Sequence, residues 1–425
     1  MVPKGWREGR VGDLLDALES GVSVNGEDRE FTVDEKAVLK VSAVSYGYFN
    51  PAAAKVIEGD ELERAKTHPK RGQIIISRSN TEELVGASAY IEKDYPNLFL
   101  PDKLWQTVPK IGADMKWLSY ILASSHSRYI LSNLATGTSG SMKNITKGEL
   151  LSLKILIPTS AEQKKIAQIL STWDKAITVT EKLLNNSQQQ KKALMQQLLT
   201  GKKRLLDENG VSFSGEWEQF PLKVMAEVIV SPVDKKTEAN EIPVELCNYT
   251  DVYYNNYITN NINFMKATAT KNEIEKYTLK KGDVIITKDS ETPGDIAIPA
   301  LVSEDLNGVV CGYHLAIIRP KNKIVVGSFL NYLFSMQKTR YYFFTLATGA
   351  TRFGLSVGGI NYAHFSIPKI EEQQKIAAVL SAVDAEISVL EKKLACLKDE
   401  KKALMQQLLT GKRRVKVEVE DTVSA

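Results

Sequence analysis

Cysteine is scarce. The chain of 425 residues holds three, Cys247, Cys311 and Cys396. An odd number without CxxC spacing argues against a disulfide framework and a zinc ribbon, and it suits a reducing cytoplasm, so a cytoplasmic location is expected. Histidine is nearly as sparse: His68, His126, His314 and His364 are scattered without metal-ligand spacing. No apolar run approaches the ~18 residues that a membrane span needs. The opening MVPKGWREGR lacks the apolar core of a signal peptide, so secretion is not expected. There is no GxxxxGK[ST] phosphate loop and no Asn-Pro-Pro-Tyr-like motif of an amino methyltransferase. GTSGS at 137–141 is not a GxSxG nucleophile elbow. Glu391-Lys392-Lys393 resembles a fragment of a nuclease motif but falls on a charged helical face. A strong charge of one sign is missing too: 55 Lys and Arg against 51 Asp and Glu leave a net charge of +4. That balance permits a nucleic-acid partner without indicating one. Together these absences point away from catalysis and toward binding or scaffolding.

What the chain does have is duplication. KKALMQQLLTGK stands at 191–202 and again at 401–412, identical throughout. EQKKIAQILSTWDKAI (162–177) returns as EQQKIAAVLSAVDAEI (372–387), and KRGQIIISRSN (70–80) as KKGDVIITKDS (280–290), both at a shift of 210. LATGTS (134–139) returns as LATGAT (346–351) at a shift of 212, and Trp6 and Trp217 lie near the start of each half. A solenoid repeats every 20–50 residues. This longer period describes a unit of about 200 residues, itself large enough to be a domain, copied head to tail.

Each half reads as a mixed globular part followed by one long helix. Strand-like runs lie between turn signals at 73–77, 283–287, 41–44, 153–157, 315–318 and 365–367, and 115–134 and 328–346 read as helical. Mixed order of strands and helices gives an α+β class, two similar mixed α/β heads. In the second long helix Ile376, Leu380, Val383, Ile387, Leu390, Leu394, Leu397, Leu404 and Leu408 mark a heptad seam with a gap at Lys401. The first helix repeats it in phase, with Thr180 and Ser187 weakening its middle. Ser160 with Gln163 forms a capping box at its start. Gly201 and Gly411 occupy the left-handed position past each helix end, followed by basic residues suited to the helix dipole. A helix of about 39 residues is roughly 58 Å long, and its one-sided seam demands a partner. Antiparallel pairing of the two helices as a coiled coil, a pseudo-twofold dumbbell, is the economical arrangement; packing of each helix on its own head is the other. The expected segments are 1–158 (head 1), 159–204 (helix 1), 205–368 (head 2), 369–412 (helix 2) and 413–425 (tail).

Two loops recur in each half with a shared framework and different polar tips. The first follows a basic turn, Lys70-Arg71 or Lys280-Lys281, and a strand. It reads Ser77, Arg78, Ser79, Asn80 in one half and Lys288, Asp289, Ser290 in the other. Arg reads guanine bidentately, Asn reads adenine, Asp accepts from cytosine N4, and Lys or Ser serves base or phosphate. The second follows LATG and carries Ser139, Ser141, Lys143 and Asn144, or Thr351 and Arg352; small residues there admit a phosphate closely. Plain surface loops remain the other reading. Tyr46, Tyr48 and Asn50, with rough counterparts Tyr253, Tyr254 and Asn256, fit core or turn packing better than ligand contacts. Ile169, Leu199, Val379 and Leu409 are apolar residues that a two-stranded seam does not use. They either pack on their own heads or meet partner helices.

The ordered set of EQKKIA/EQQKIA, the duplicated QQLLTGK, LATG before a Gly/Ser-rich loop, and strands ending in proline at 155–158 and 366–368 resembles the specificity (S) subunits of type I restriction–modification enzymes, over nearly the whole chain. The resemblance implies two target-recognition domains, each reading half of a split, asymmetric double-stranded DNA sequence. It implies a helical spacer that sets the gap and docks two methyltransferase (modification) subunits, joined by restriction/translocase subunits. No catalytic residue or metal site is expected on this chain; S-adenosylmethionine, ATP and Mg are expected on the partners. The alternative from another class is a non-catalytic protein-binding scaffold with two homologous heads.

Overall fold

A computed structural model describes residues 2–417 except 33, 140, 141 and 322. The chain divides into two compact units. Unit 1 is Met1–Glu181 with Lys393–Ala425, and unit 2 is Lys182–Lys392. Each unit thus combines one head with part of both long helices.

In unit 1 the central sheet is antiparallel, in the order Leu15–Ser20, Leu104–Pro109, Ile74–Ser77, Ser88–Tyr90. The run Ile74-Ile75-Ile76 is fully buried because both faces of this strand are covered. Ile74 and Ile76 face a core that holds Trp117, Leu118 and Leu122, while Ile75 faces a second core with Ala37, Leu39 and Leu100. Unit 2 repeats the plan with five strands: Ala226–Val230, Leu315–Pro320, Val284–Thr287, Pro299–Val302, Tyr257–Ile258. Val284 and Ile286 enter one core and Ile285 the other.

The helical stretches predicted after these sheets are each two helices. In head 1, α1 (Met115–Ala123) and α2 (Ser125–Leu134) meet at Ser124, whose extended backbone (ψ 148°) ends one helix while its hydroxyl accepts from Ser127 N at 3.3 Å and caps the next. The long helix α3 (Ser160–Leu198) follows in chain order. In head 2, α4 (Gly327–Ser335) and α5 (Gln337–Leu346) meet at Met336, and α6 (Ile370–Leu408) closes the series. The two long helices have the same length, 39 residues. The expected cap of α3 moves by one residue: Thr159, not Ser160, accepts from Glu162 N at 3.3 Å, and Gln163 instead donates to Pro158 O at 3.0 Å.

Within each unit the long helices run antiparallel. In unit 1, Glu162 meets Arg414, Asp174 meets Lys401 at 2.5 Å, and Glu181 meets Lys398 at 2.8 Å. In unit 2, Lys191 meets Asp384 at 2.5 Å and Arg204 meets Glu372 at 2.7 Å. The seam gap at Lys401 and its counterpart Lys191 therefore holds an ion pair with the facing helix. Each aspartate also accepts from a head tyrosine: Tyr120 OH reaches Asp174 at 2.5 Å, and Tyr332 OH reaches Asp384 at 2.7 Å. Burial is the main cause that raises both phenol pKa values, joined at Tyr120 by the Asp174 carboxylate and at Tyr332 by the Tyr257 hydroxyl and then Asp384. These part-buried polar nodes disfavour a slipped seam, because a shift separates the charges from their partners.

The EQ of each helix opening is structural. Glu162 and Glu372 take the arginine that follows the opposite LLTG end: Arg414 at 2.7–2.9 Å and Arg204 at 2.7 Å twice. Gln373 accepts from Val326 N at 3.1 Å and Gln163 from Asp114 N at 3.2 Å, tying helix to head. Gly201 and Gly411 adopt φ +68° and +70° as expected, and a Cβ on Gly411 would stand 2.4 Å from Pro3.

Candidate nucleic-acid interface

The structure brings the two sequence-predicted loops of each head into one small sheet. In head 1, Ser79–Asn80 pairs with Met142–Asn144, which pairs in turn with Thr136–Ser139. Lys143 lies opposite Asn80 and Asn144 opposite Ser79. In head 2, Asp289–Ser290 pairs with Phe353–Gly354, placing Arg352 and Thr351 beside the first loop. Residues about 60 positions apart in sequence thus share one surface in both heads.

The tips differ in their electrostatics. Arg78 donates through Nε to Asp102 O at 2.9 Å, with its other end 3.7 Å from the Asp102 carboxylate. Asn80 donates to Ser77 Oγ at 3.2 Å, and Lys143 to Gly137 O at 3.2 Å. In head 2, Lys288 grips both oxygens of Asp289 at 2.6 Å, and His314 Nδ1 stands 3.2 Å from the same carboxylate. Lys288 is therefore neutralised by its neighbour rather than presented to solvent. His314 is held at φ +74°, strained for a residue with a Cβ. Ser77, Ser79 and Ser290 are buried, while Arg352 and Thr351 are exposed. Ser141 lies outside the described residues, as does the Ser139 side chain.

Other candidates fall elsewhere. Lys70, Arg71, Lys280 and Lys281 sit at the start of the central strands, and the tips at their far end, about 13 Å away for a strand of four residues. Leu199 and Leu409 are 3% and 7% exposed. Neither packs on its own head, as the sequence reading allowed: Leu199, at the end of the helix that follows head 1, lies in the head 2 core, and Leu409 lies in the head 1 core, because each helix runs antiparallel onto the opposite head. Ile169 and Val379 are half-buried against the same cores. Tyr46, Tyr48 and Tyr254 depart from expectation: they are 62%, 66% and 77% exposed rather than packed. Tyr253 fits it better, its hydroxyl meeting Asp295 at 3.2 Å.

Sequence reading passed over two arginines. Arg128 on α2 donates to Glu83 O at 2.5 Å and Val85 O at 2.6 Å, and Arg340 on α5 donates to Gly294 O at 2.6 Å and to Ile296 O. The signal was available: each stands six residues before a LATG, followed by tyrosine.

The profile of the family described as type I restriction modification DNA specificity domain matches twice, at residues 3–187 and 214–399. The chain belongs to this family. A Methanocaldococcus jannaschii protein named for the MjaX type I restriction enzyme specificity subunit is 25% identical over 98% of this chain and 95% of its own length. The MjaVIII specificity subunit of the same organism is 23% identical over 98% and 94%. The crystal structure of the type I restriction–modification S subunit from M. genitalium shares the fold, with a TM-score of 0.60 at 16% identity, over 95% of this chain and 96% of that one. This specificity subunit has two target-recognition domains, and each matched stretch holds one head with part of the long helix that follows it. The protein-only scaffold is not favoured. Among the described residues no helix is long and apolar enough to cross a membrane.

Proposed function

We propose that each head reads one half of a bipartite, asymmetric DNA target through the surface formed by its two recurring loops. The observation that supports this reading most is their convergence: one framework in both heads, with Arg78, Asn80 and Lys143 on one and a Lys288–Asp289–His314 cluster with Arg352 on the other. Unlike tips on a like framework read unlike half-sites. The long helices set the gap between half-sites and carry two methyltransferase subunits, which bind S-adenosylmethionine; ATP and Mg belong to the restriction subunits. Val179 and Val389, 210 positions apart, are 56% and 64% exposed on α3 and α6 outside the seam, and are better docking residues than Leu199 and Leu409. This chain supplies recognition and no chemistry. A gel shift on random duplexes, with and without a methyltransferase partner, tests DNA binding. Adenine methylation by the purified single chain with S-adenosylmethionine would defeat the assignment of chemistry to the partner.

A further inference from the structure

The loops after the shared small sheets, Thr81–Gly86 and Glu291–Ala297, have different sequences and lengths, yet an arginine at the matching position holds each. Arg128 is 9% exposed, and its Nε has no hydrogen-bond partner among the described residues. Neither Arg128 nor Arg340 has a carboxylate within ion-pair distance among the described residues. Each guanidinium instead spends its donors on two main-chain carbonyls of its loop. For Arg128, a buried cation without a counter-ion, that position is costly; Arg340 is part-buried, with the Asp295 carboxylate of its own loop nearby, and Arg stays charged at any accessible pH. Two parallel donors in a rigid fork also fix a loop in a way Lys cannot.

The rest of each loop is arranged around this grip. Ser132 on α2 donates to Glu82 O at 3.0 Å. Gly86 takes φ +70°, and a Cβ there would press on Leu131 at 3.0 Å and on the Arg128 guanidinium at 3.2 Å. Ala297 takes the matching left-handed turn at φ +56° although it has a Cβ. In head 2 the Thr287 hydroxyl donates to Asp295 O at 2.6 Å. What each loop exposes is acidic and polar: Thr81, Glu82 and Glu83 in head 1, Glu291 and Thr292 in head 2. In head 1 these residues, with Ser132, line an open recess of 630 Å³. Carboxylates near a phosphate backbone repel it, and so discriminate against every site that does not offer a base amino group to them.

We propose that Thr81–Gly86 and Glu291–Ala297 are specificity-determining segments, and that Arg128 and Arg340 are the positioning residues on which the two heads mount these divergent loops. The inference rests on the reading that each head recognises its own half-site.

The test uses the complete restriction–modification system in a host, with the methylated motif mapped by sequencing. The wild type first has to yield a bipartite motif; if it yields none, the proposed function fails whatever the variants do. Arg128→Met and Arg340→Met, made singly, should each relax one or more positions by roughly tenfold in one half-site, a different half for each, and leave the other half unchanged. Arg128→Lys should restore preference only in part. The salt dependence of DNA affinity should be unchanged, because the guanidinium meets carbonyls, not phosphates. Where Arg128→Met fails to accumulate, the exposed double variant Glu82→Gln/Glu83→Gln tests the same loop on a folded head and should alter the same half-site. A folded Arg128→Met variant with an intact motif would overturn the proposal, as would an intact motif in the glutamine variant. A salt slope reduced by about one, with a uniform loss across sequences, would make Arg128 a phosphate contact and overturn its positioning role.

Discussion

Arg204→Met should destabilise the start of α6 much more than Arg414→Met destabilises the start of α3, although the two arginines occupy matching places. Arg204 contacts Glu372 through two bonds of 2.7 Å, and the Glu372 side chain is 2% exposed. That carboxylate has no other side-chain partner among the described residues. Removing the arginine strands a buried charge, which costs about 3–5 kcal/mol. Glu162 is buried to a similar degree, but it also accepts from Trp6 Nε1 at 3.0 Å and from Thr159 Oγ1 at 3.2 Å. With those bonds left in place, loss of the two Arg414 contacts should cost about 1.5–2 kcal/mol, the low end for hydrogen bonds to a charged group. Trp217, the counterpart of Trp6, has a buried Nε1 with no partner among the described residues and cannot help Glu372. Native-state hydrogen exchange on the full chain reads both sites separately. Protection of the amides at 372–377 should fall by roughly 10²- to 4 × 10³-fold in Arg204→Met. At 162–167 it should fall by about ten- to thirtyfold in Arg414→Met, at about 1.4 kcal/mol per factor of ten. Glu372→Gln added to Arg204→Met should recover much of the loss. Equal losses at the two sites, or no recovery on removing the charge, would refute the reasoning.

Gly411→Ala and Gly201→Ala both force a Cβ into a left-handed turn, at about 1–2 kcal/mol each; Gly411→Ala should lower stability further, because its Cβ would meet Pro3 at 2.4 Å whereas that of Gly201 meets Trp217 at 3.3 Å. A thermal melt of each variant decides this. One heptad added to each long helix, after Asn185 and after Ala395, keeps both seams in phase and lengthens each by about 10 Å. If the helices set the gap, the methylated motif should widen by at most about three base pairs with half-sites unchanged, and an active variant with an unchanged gap would argue against a ruler. Arg78→Ala should relax one position of one half-site by about 1–3 kcal/mol, read from the methylation profile; a uniform loss would reassign Arg78 to phosphate.

Legibility in the sequence followed the kind of interaction. The long helices were readable to within about one residue at their starts and about four to six at their ends (159–204 and 369–412 expected, Ser160–Leu198 and Ile370–Leu408 observed), because a heptad seam and a Leu-Thr-Gly stop are local patterns. The breaks at Ser124 and Met336 were not, since both interrupt a helical pattern with one extended residue and no Gly or Pro. The Lys401 gap looked like a defect in the seam and is an ion pair with Asp174, a relation across 227 positions that no local pattern carries. The two loops of each head were found from the repeat, but their meeting in one sheet depends on strand pairing over about 60 residues. Arg128 and Arg340 escaped notice for a different reason: a charged residue in an amphipathic helix reads as solvated, and only tertiary structure shows its guanidinium turned onto main-chain carbonyls.

The central claim, that each head reads its own half-site, is tested most directly by domain exchange. Residues 213–368 are replaced with the matching domain of another family member, and the methylated motif of the assembled complex is sequenced. One half of the motif should change to the donor's half-site, with the other half and the gap retained. A change in both halves, or in neither, would contradict the account.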